Sequence, residues 1–430
     1  MKILIQGGRV VDPSSGFDQL ADVAVAAGRI VSIGAVSSDF HANKTIDAQG
    51  CVVAPGLVDL AVRLREPGHE HARMLQSEMA AAVAGGVTSL VCPPDTDPVL
   101  DEPGLVEMLR YRSEKLHQCR VFPLGALTRS LRGEVLTEMV SLTQAGCVGF
   151  GQADVPLPSL KILLRALQYA STFGYSVWLR PQDRDLGTGV VASGPLATRM
   201  GLAGIPVAAE TIAIYSIVAL MRSSGARVHL CRLSSAAGLD LVRQAKAEGL
   251  PLTCDVSIHS LHLIDTDIGY FDSRSHLKPP LRQQRDRDAI RGALADGTID
   301  ALVSDHSPVD EDQKTLPFAE SEAGASAVEL LLGMALKWAE ADGVALRRAL
   351  EVLTSAPADI IRAGHAGPRG GAGRLVAGGV ADLCVYDPYP EWVITANNLR
   401  SQGKHTPFSG YALRSRVRWT IVGGTLAFEA

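Results

Sequence analysis

No Cys-x-x-Cys pair occurs among the seven cysteines, which are scattered at 51, 92, 119, 147, 231, 254 and 384. The odd, dispersed set reads as buried, reduced thiols of a cytoplasmic protein. Positive charge is not in excess either. Lys and Arg number 41 against 46 Asp and Glu, for a formal net charge of -5. That balance gives no electrostatic footprint for nucleic acid. No run of ~18 apolar residues suggests a membrane span. The start, Met1-Lys2-Ile3-Leu4-Ile5-Gln6-Gly7-Gly8, is too short and too soon interrupted for a signal peptide.

What is present is a long chain with ample core. Its 430 residues are 47% hydrophobic and 20% charged. That length exceeds one small domain and suits a large α/β barrel with an accessory domain. Both ends are β-rich. Lys2–Val10, 22–27 and 29–33 are short and separated by Gly or Asp-Pro turns, and 381–386 and 417–428 read the same way around Gly423-Gly424. These ends predict one small β-sandwich formed by residues 1–53 and 371–430.

Between them, apolar strands alternate with amphipathic helices. Candidate strands are 57–64, 87–92, 119–124, 146–150, 175–179, 226–231, 250–256 and 301–304. The helices between include 75–84, 104–116, 160–172, 208–221, 236–247 and 287–295. Each is long enough to cross over a parallel sheet. Eight such units predict a (β/α)₈ barrel over residues 54–370, whose functional end is the C-terminal end of its strands.

The segment Pro55-Gly56-Leu57-Val58-Asp59-Leu60-Ala61-Val62-Arg63-Leu64-Arg65-Glu66-Pro67-Gly68 resembles the first barrel strand of the dihydroorotases, a branch of the amidohydrolase superfamily. Further along stand Ala81-Ala82-Val83-Ala84-Gly85-Gly86-Val87-Thr88, Pro279–Arg282, Asp296–Asp300, Ser304-Asp305-His306-Ser307-Pro308, and the tail Gly373-Arg374-Leu375 with Gly378–Leu383. Each piece alone is weak. Their order and spacing make the resemblance strong over nearly the whole chain.

The resemblance implies zinc, and the residues argue against it. The family's first strand carries two histidines, which as i and i+2 positions face the same way. Here those positions are Ala61, which has no donor atom, and Arg63, a protonated guanidinium with no lone pair to offer. The paired aspartates after the fourth strand are absent: Gln152 and Ala153 stand there, with Asp154 offset as an expected turn or capping residue. Arg180 and Arg232 replace the family's histidines after the fifth and on the sixth strand. His229 is expected to be a hydrogen-bonded core residue. Only Asp305, which in the family touches metal and acts as general acid/base, survives of that set. Among substrate groups, Arg65 matches the arginine for the substrate carboxylate, and His259 matches a loop histidine before the seventh-strand region. Asp95, Lys278 and Val309 depart from the pattern.

Arg63, Arg180 and Arg232 should converge near Asp305. Two readings stay open. The arginines fill the space of a lost metal and pair with Asp305, Glu66 or Asp183, or they line a real anion site. Charged runs at 282–291 and 310–314 read as solvated surface. The expected function is therefore a dihydroorotase-like protein of pyrimidine biosynthesis that is catalytically inactive, binds no metal, and serves as a structural partner of aspartate transcarbamoylase, as the resemblance implies for such chains. A homodimer is expected because two-fold symmetry is the commonest assembly. The alternatives are an active dihydroorotase or related cyclic amidohydrolase, and an anion-binding module. An active enzyme would have to deprotonate water, of pKa about 15.7, without zinc. The sequence offers no nucleophile–base pair in its place.

Overall fold

The structure is a computed structural model and describes residues 1–156, 159–362 and 372–430. Both chain ends enter one sheet. The N-terminal part supplies Lys2–Asp12, Phe17–Ala26, Arg29–Gly34, Lys44–Asp47 and Val52–Pro55, and the C-terminal part supplies Leu383–Val393, Ala412–Val422 and Thr425–Glu429. Leu383–Val393 runs antiparallel to Val52–Pro55, with Leu383 opposite Pro55, and so joins the termini. The expected sandwich is realised as one continuous sheet. Lys2–Asp12 carries a register shift between Ile5 and Gly8. Before it the strand pairs with Lys44–Asp47, after it with Val52 and Val53. The irregularity bends the strand, and the sheet encloses its own core of Ile3, Ile5, Val23, Val25, Ile30, Val53, Leu383, Val385 and Ile421. The hairpin turn uses Gly423 and Gly424 at φ 56° and 72°. A Cβ on Gly424 would lie 2.7 Å from the Gly28 Cα, so the close approach also requires glycine.

All eight expected barrel strands are present: Leu57–Asp59, Val87–Cys92, Arg120–Pro123 continued by Gly125–Ala126, Phe150–Gly151, Ser176–Leu179, Arg227–Leu230, Leu252–Ser257 and Ala301–Val303. Neighbours pair in parallel from the first to the third and from the third to the eighth. The ring closes where Val62 bridges His306, with Arg63 N donating to His306 O at 2.8 Å and His306 N to Ala61 O at 3.0 Å. The first strand is shorter than the expected 57–64. The Asp59 carboxylate accepts from the backbone N–H groups of Ala61 and Ser304 and takes over ladder positions there.

Helices Leu75–Ala84 and Ala236–Ala247 have the expected bounds, and Pro103–Lys115, Leu160–Phe173, Val207–Ser224 and Gln284–Asp296 differ only at their ends. Gly174, Gly225 and Gly297 close three of these helices in the left-handed region. Inside the barrel, Val58, Leu60, Val91, Phe122, Leu124, Trp178 and Val303 form a filled core. Val207–Ser224 is long and apolar enough to cross a membrane by length and composition, with mean hydropathy 1.2. Here it lies in the outer ring between Leu160–Phe173 and Ala236–Ala247. Residues 370 and 371, where the barrel was expected to end, lie outside the described residues.

The closure is fastened from behind. His306 Nδ1 accepts from Ala327 N at 3.0 Å, which leaves Nε2 to donate to Glu78 at 2.7 Å. Glu78 also accepts from Ser401 Oγ at 2.6 Å. One buried carboxylate thus ties the eighth strand, the first helix and the C-terminal segment together.

Candidate functional site

At the C-terminal ends of the strands lies a cluster of ion pairs. Asp154 is its hub. Its Oδ2 accepts from Arg63 Nη2 at 2.8 Å, and its Oδ1 accepts from Arg232 Nη2 at 2.5 Å. Arg180 Nε lies 2.8 Å from the same Oδ1, but that N–H is poorly aligned and forms an ion pair without a hydrogen bond. Arg180 Nη2 donates to the Asp154 carbonyl at 3.1 Å, and Nη1 turns to Gln182. Arg63 further binds Asp95 at 2.9 Å and Ser307 at 2.8 Å. Arg232 Nη1 binds Asp305 at 3.0 Å. Three guanidiniums therefore meet three carboxylates, and the cluster carries no net charge when all are ionised.

The two central carboxylates behave in opposite ways. Burial would raise both. For Asp154 the surrounding Arg232, Arg63 and Arg180 overcome burial and hold the carboxyl well below the usual range. For Asp305, burial outweighs Arg232 and Arg63, and its pKa is pushed up to about 6. Asp59, deeper in the barrel and without a cationic partner, is raised to about 7 by burial. Strained backbone collects here as well. Arg65, Ala153, Arg232 and Asp305 have φ of 64°, 50°, 56° and 53°, a region unfavourable for residues with a Cβ.

The expected convergence of Arg63, Arg180 and Arg232 near Asp305 is observed, but two assignments need correction. Asp154 lies in a turn, as expected, but its carboxylate is the common partner of all three arginines. The left-handed Ala153 swings it into the mouth, a deviation that strand alternation does not anticipate. The signal in the sequence was electrostatic: three converging arginines require counter-charge, and Asp154 was the nearest offset carboxylate. Glu66 and Asp183, offered as partners, serve elsewhere. Glu66 accepts from Leu75 N and pairs with Arg112, while Asp183 accepts from Asp185 N and Leu186 N.

The remaining site residues are dispersed. Gln152 turns from the cluster and donates to Thr128 Oγ1 at 2.9 Å and Leu131 O at 2.8 Å. Ala61 stands at the rim with no side-chain donor. Arg65 donates to Pro308 O at 2.7 Å and to Glu322 at 3.2 Å, a partner the sequence did not reveal. His259 follows the seventh strand, on helix Ile258–His262, and does not precede it as expected. Its ring stacks on Phe408 at 5.4 Å, neither nitrogen has a partner, and burial lowers its pKa to about 3. His229 is a core histidine, between Thr253 and Asp255 at 2.8 Å each. With Cys231 and Asp255 it forms the one cluster of potential metal donors among the described residues. The Asp255 oxygens are taken by His229 and by the Arg232 backbone N–H.

Residues 309–324, which follow the eighth strand, are pinned down. Lys314, expected to be solvated, is buried and donates to Ser273 O and His276 O at 2.9 and 3.3 Å. Burial lowers its pKa to about 8. Arg73 holds Val309 O at 2.9 Å, and Gly324 N bonds His276 O. Arg282, also read as surface, is buried against Ser234 and Ile205 O. Between Ala61, Trp178, Cys231, Arg63 and Arg232 remains a cavity of about 30 Å³. Small-molecule sites usually offer roughly 300 Å³ or more.

Comparison with known proteins agrees with this architecture. Residues 50–237 match the Dihydro-orotase-like family. A Dihydroorotase-like protein of Pseudomonas aeruginosa is 44% identical over 430 residues, covering 100% of both chains. A protein of the same description from Pseudomonas putida is also 44% identical, over 99% of this chain and 98% of its own. A Dihydroorotase of Geobacter sp. strain M21 is 36% identical over 100% of both. Among solved structures, L-hydantoinase (dihydropyrimidinase) from Arthrobacter aurescens superposes with TM-score 0.87 at 24% identity, over 99% of this chain and 96% of that one. At that identity the likeness speaks for the fold.

Proposed function

The chain belongs to the dihydroorotase-like family of amidohydrolases, and we propose that it is a non-catalytic member acting as a structural partner of aspartate transcarbamoylase in pyrimidine synthesis, in the cytoplasm. The observation that carries this reading is the Asp154 hub. The positions that would hold zinc present a methyl group, an amide turned aside and three guanidiniums already bound to carboxylates. Guanidiniums have no lone pair for a metal, and their charge opposes a divalent cation. The donor set does not fit zinc. Asp305 is bound to Arg232. The cavity of about 30 Å³ beside Arg63 and Arg232 is also far smaller than a usual small-molecule site.

An anion-binding module is the weaker reading, since each arginine of the cluster already has a carboxylate partner. An active cyclic amidohydrolase has the fold in its favour and lacks the donors. The deciding experiment is metal analysis of the gently purified chain, an assay of dihydroorotate ring opening, and co-sedimentation with the transcarbamoylase of the same organism. About one tightly held metal per chain with turnover would overturn the non-catalytic reading. Failure to co-sediment at micromolar concentration, with the transcarbamoylase assembled and active alone, would overturn the scaffold role.

A further inference from the structure

The end of the barrel opposite the mouth is also hollow. A cavity of about 390 Å³ lies at the N-terminal ends of the fifth to eighth strands, beside helix Ser355–Arg362. That exceeds the roughly 300 Å³ at which small-molecule sites begin. Val228, Leu250, Leu252, Ala356 and Ile360 give it apolar walls. Two polar side chains face it without a protein partner. Ser176 and Arg227 stand opposite each other on neighbouring strands. Each comes two residues before one of Trp178 and His229, whose rings meet at 4.3 Å inside the barrel, so strand alternation turns both inward. Ser176 is only 7% exposed, yet its hydroxyl makes no hydrogen bond among the described residues. Arg227, partly buried, has neither a hydrogen bond nor an ion pair there. Buried polar groups ordinarily find partners.

We propose that this cavity binds a small organic carboxylate, with Arg227 and Ser176 holding its head and the apolar walls its tail. The charges select an anion. The two carboxylates that also line the cavity are already answered: Asp300 accepts from Lys246 Nζ at 2.7 Å, and Asp359 pairs with Arg374. Among the described residues lining the cavity, Arg227 is the one charge left over. A single surplus charge suits a carboxylate better than a doubly charged phosphate, and the guanidinium fork matches two carboxylate oxygens. Thr253, also in the wall, is no donor to the head. Its Oγ1 lies 2.8 Å from His229 Nδ1, and His229 Nε2 donates to Asp255. In the neutral ring Nδ1 then accepts from the Thr253 hydroxyl, which is left with only lone pairs to offer. The inference rests on no part of the non-catalytic reading.

The test is isothermal titration calorimetry of the full chain with hexanoate, hexanol and inorganic phosphate. The wild type is compared with Arg227→Met, Arg227→Lys and Ser176→Ala. Hexanoate should bind the wild type once per chain, and hexanol and phosphate about tenfold or more weakly than that. Arg227→Met should lose about tenfold or more in hexanoate affinity, and Ser176→Ala a few-fold. Arg227→Lys, which keeps the charge and loses the fork, should fall between the wild type and Arg227→Met. Arg227→Met orphans no protein partner, so it should keep the wild-type denaturation midpoint. That readout separates a lost ligand contact from a lost fold. The proposal is overturned by a wild type with no saturable hexanoate binding, or by hexanoate affinity that survives Arg227→Met. Phosphate or hexanol bound as tightly as hexanoate overturns it too. So does a lowered midpoint in Arg227→Met, the mark of an arginine that braces the fold.

Discussion

At the scale of single residues, Asp154 controls the mouth. It is the one carboxylate that touches all three arginines. Removing one partner of a buried ion pair leaves uncompensated charge, at a cost of about 3–5 kcal/mol. Asp154→Asn should therefore lower stability by about that amount in denaturant titrations, the largest effect of any substitution in the cluster. Asp305→Asn should behave differently. The folded pKa of Asp305 is about 6, against an ordinary 3.8, so the folded protein holds this proton more tightly than the unfolded chain. The group then costs stability above pH 6, by no more than about 3 kcal/mol. That cost disappears as the pH falls from 6 toward 4. The asparagine variant should equal or exceed the wild type in stability at pH 7.5, and its advantage should fall to about half at pH 5 and vanish near pH 4. A variant much weaker at pH 7.5 would show that the ionised carboxylate is needed. Ala153, at φ 50°, adds a third case. Ala153→Gly should relieve strain and stabilise by up to about 1 kcal/mol, measurable as a raised denaturation midpoint.

At the scale of elements, the first strand alone cannot restore a metal site. Arg180 and Arg232 come from the fifth and sixth strands and would still face the ion. Ala61→His with Arg63→His should bind less than stoichiometric zinc by elemental analysis and show no dihydroorotate turnover. Turnover by this double variant would mean that the other arginines swing aside. This division of the site among strands also explains what the sequence could disclose. Alternation of apolar strands and amphipathic helices marked all eight barrel strands, because burial on both faces leaves continuous apolar runs such as Ala301–Val303. Loss of donors at 61, 63, 180 and 232 was equally legible, since side-chain chemistry does not depend on geometry. Which carboxylate would answer those arginines was not legible. It depended on a left-handed residue at 153 and on loop segments that bring Glu322 to Arg65 and bury Lys314. Local chain reversals of this kind leave no periodic trace.

At the scale of the whole molecule, the cluster does for the barrel what a metal centre could do mechanically. It fastens residues beyond the first, second, fourth, fifth, sixth and eighth strands to one another through Arg63, Asp95, Asp154, Arg180, Arg232 and Asp305. The closing strand is fastened separately through His306 and Glu78. A barrel held in this way keeps a rigid outer surface with no requirement for chemistry in its mouth. If the surface is what matters, function should be indifferent to the remnant acid and sensitive to contacts outside. Asp305→Ala should leave co-sedimentation with aspartate transcarbamoylase, and any rise in its activity, unchanged. Charge reversals placed one at a time around the exterior, on helices that touch no mouth residue, should include a contiguous set that abolishes both. Fold can be checked in each case by circular dichroism, so loss of assembly is separable from unfolding. Loss of co-sedimentation in Asp305→Ala, with the fold intact, would move the functional centre back into the barrel mouth. A scan in which no exterior reversal mattered would remove the surface from the account.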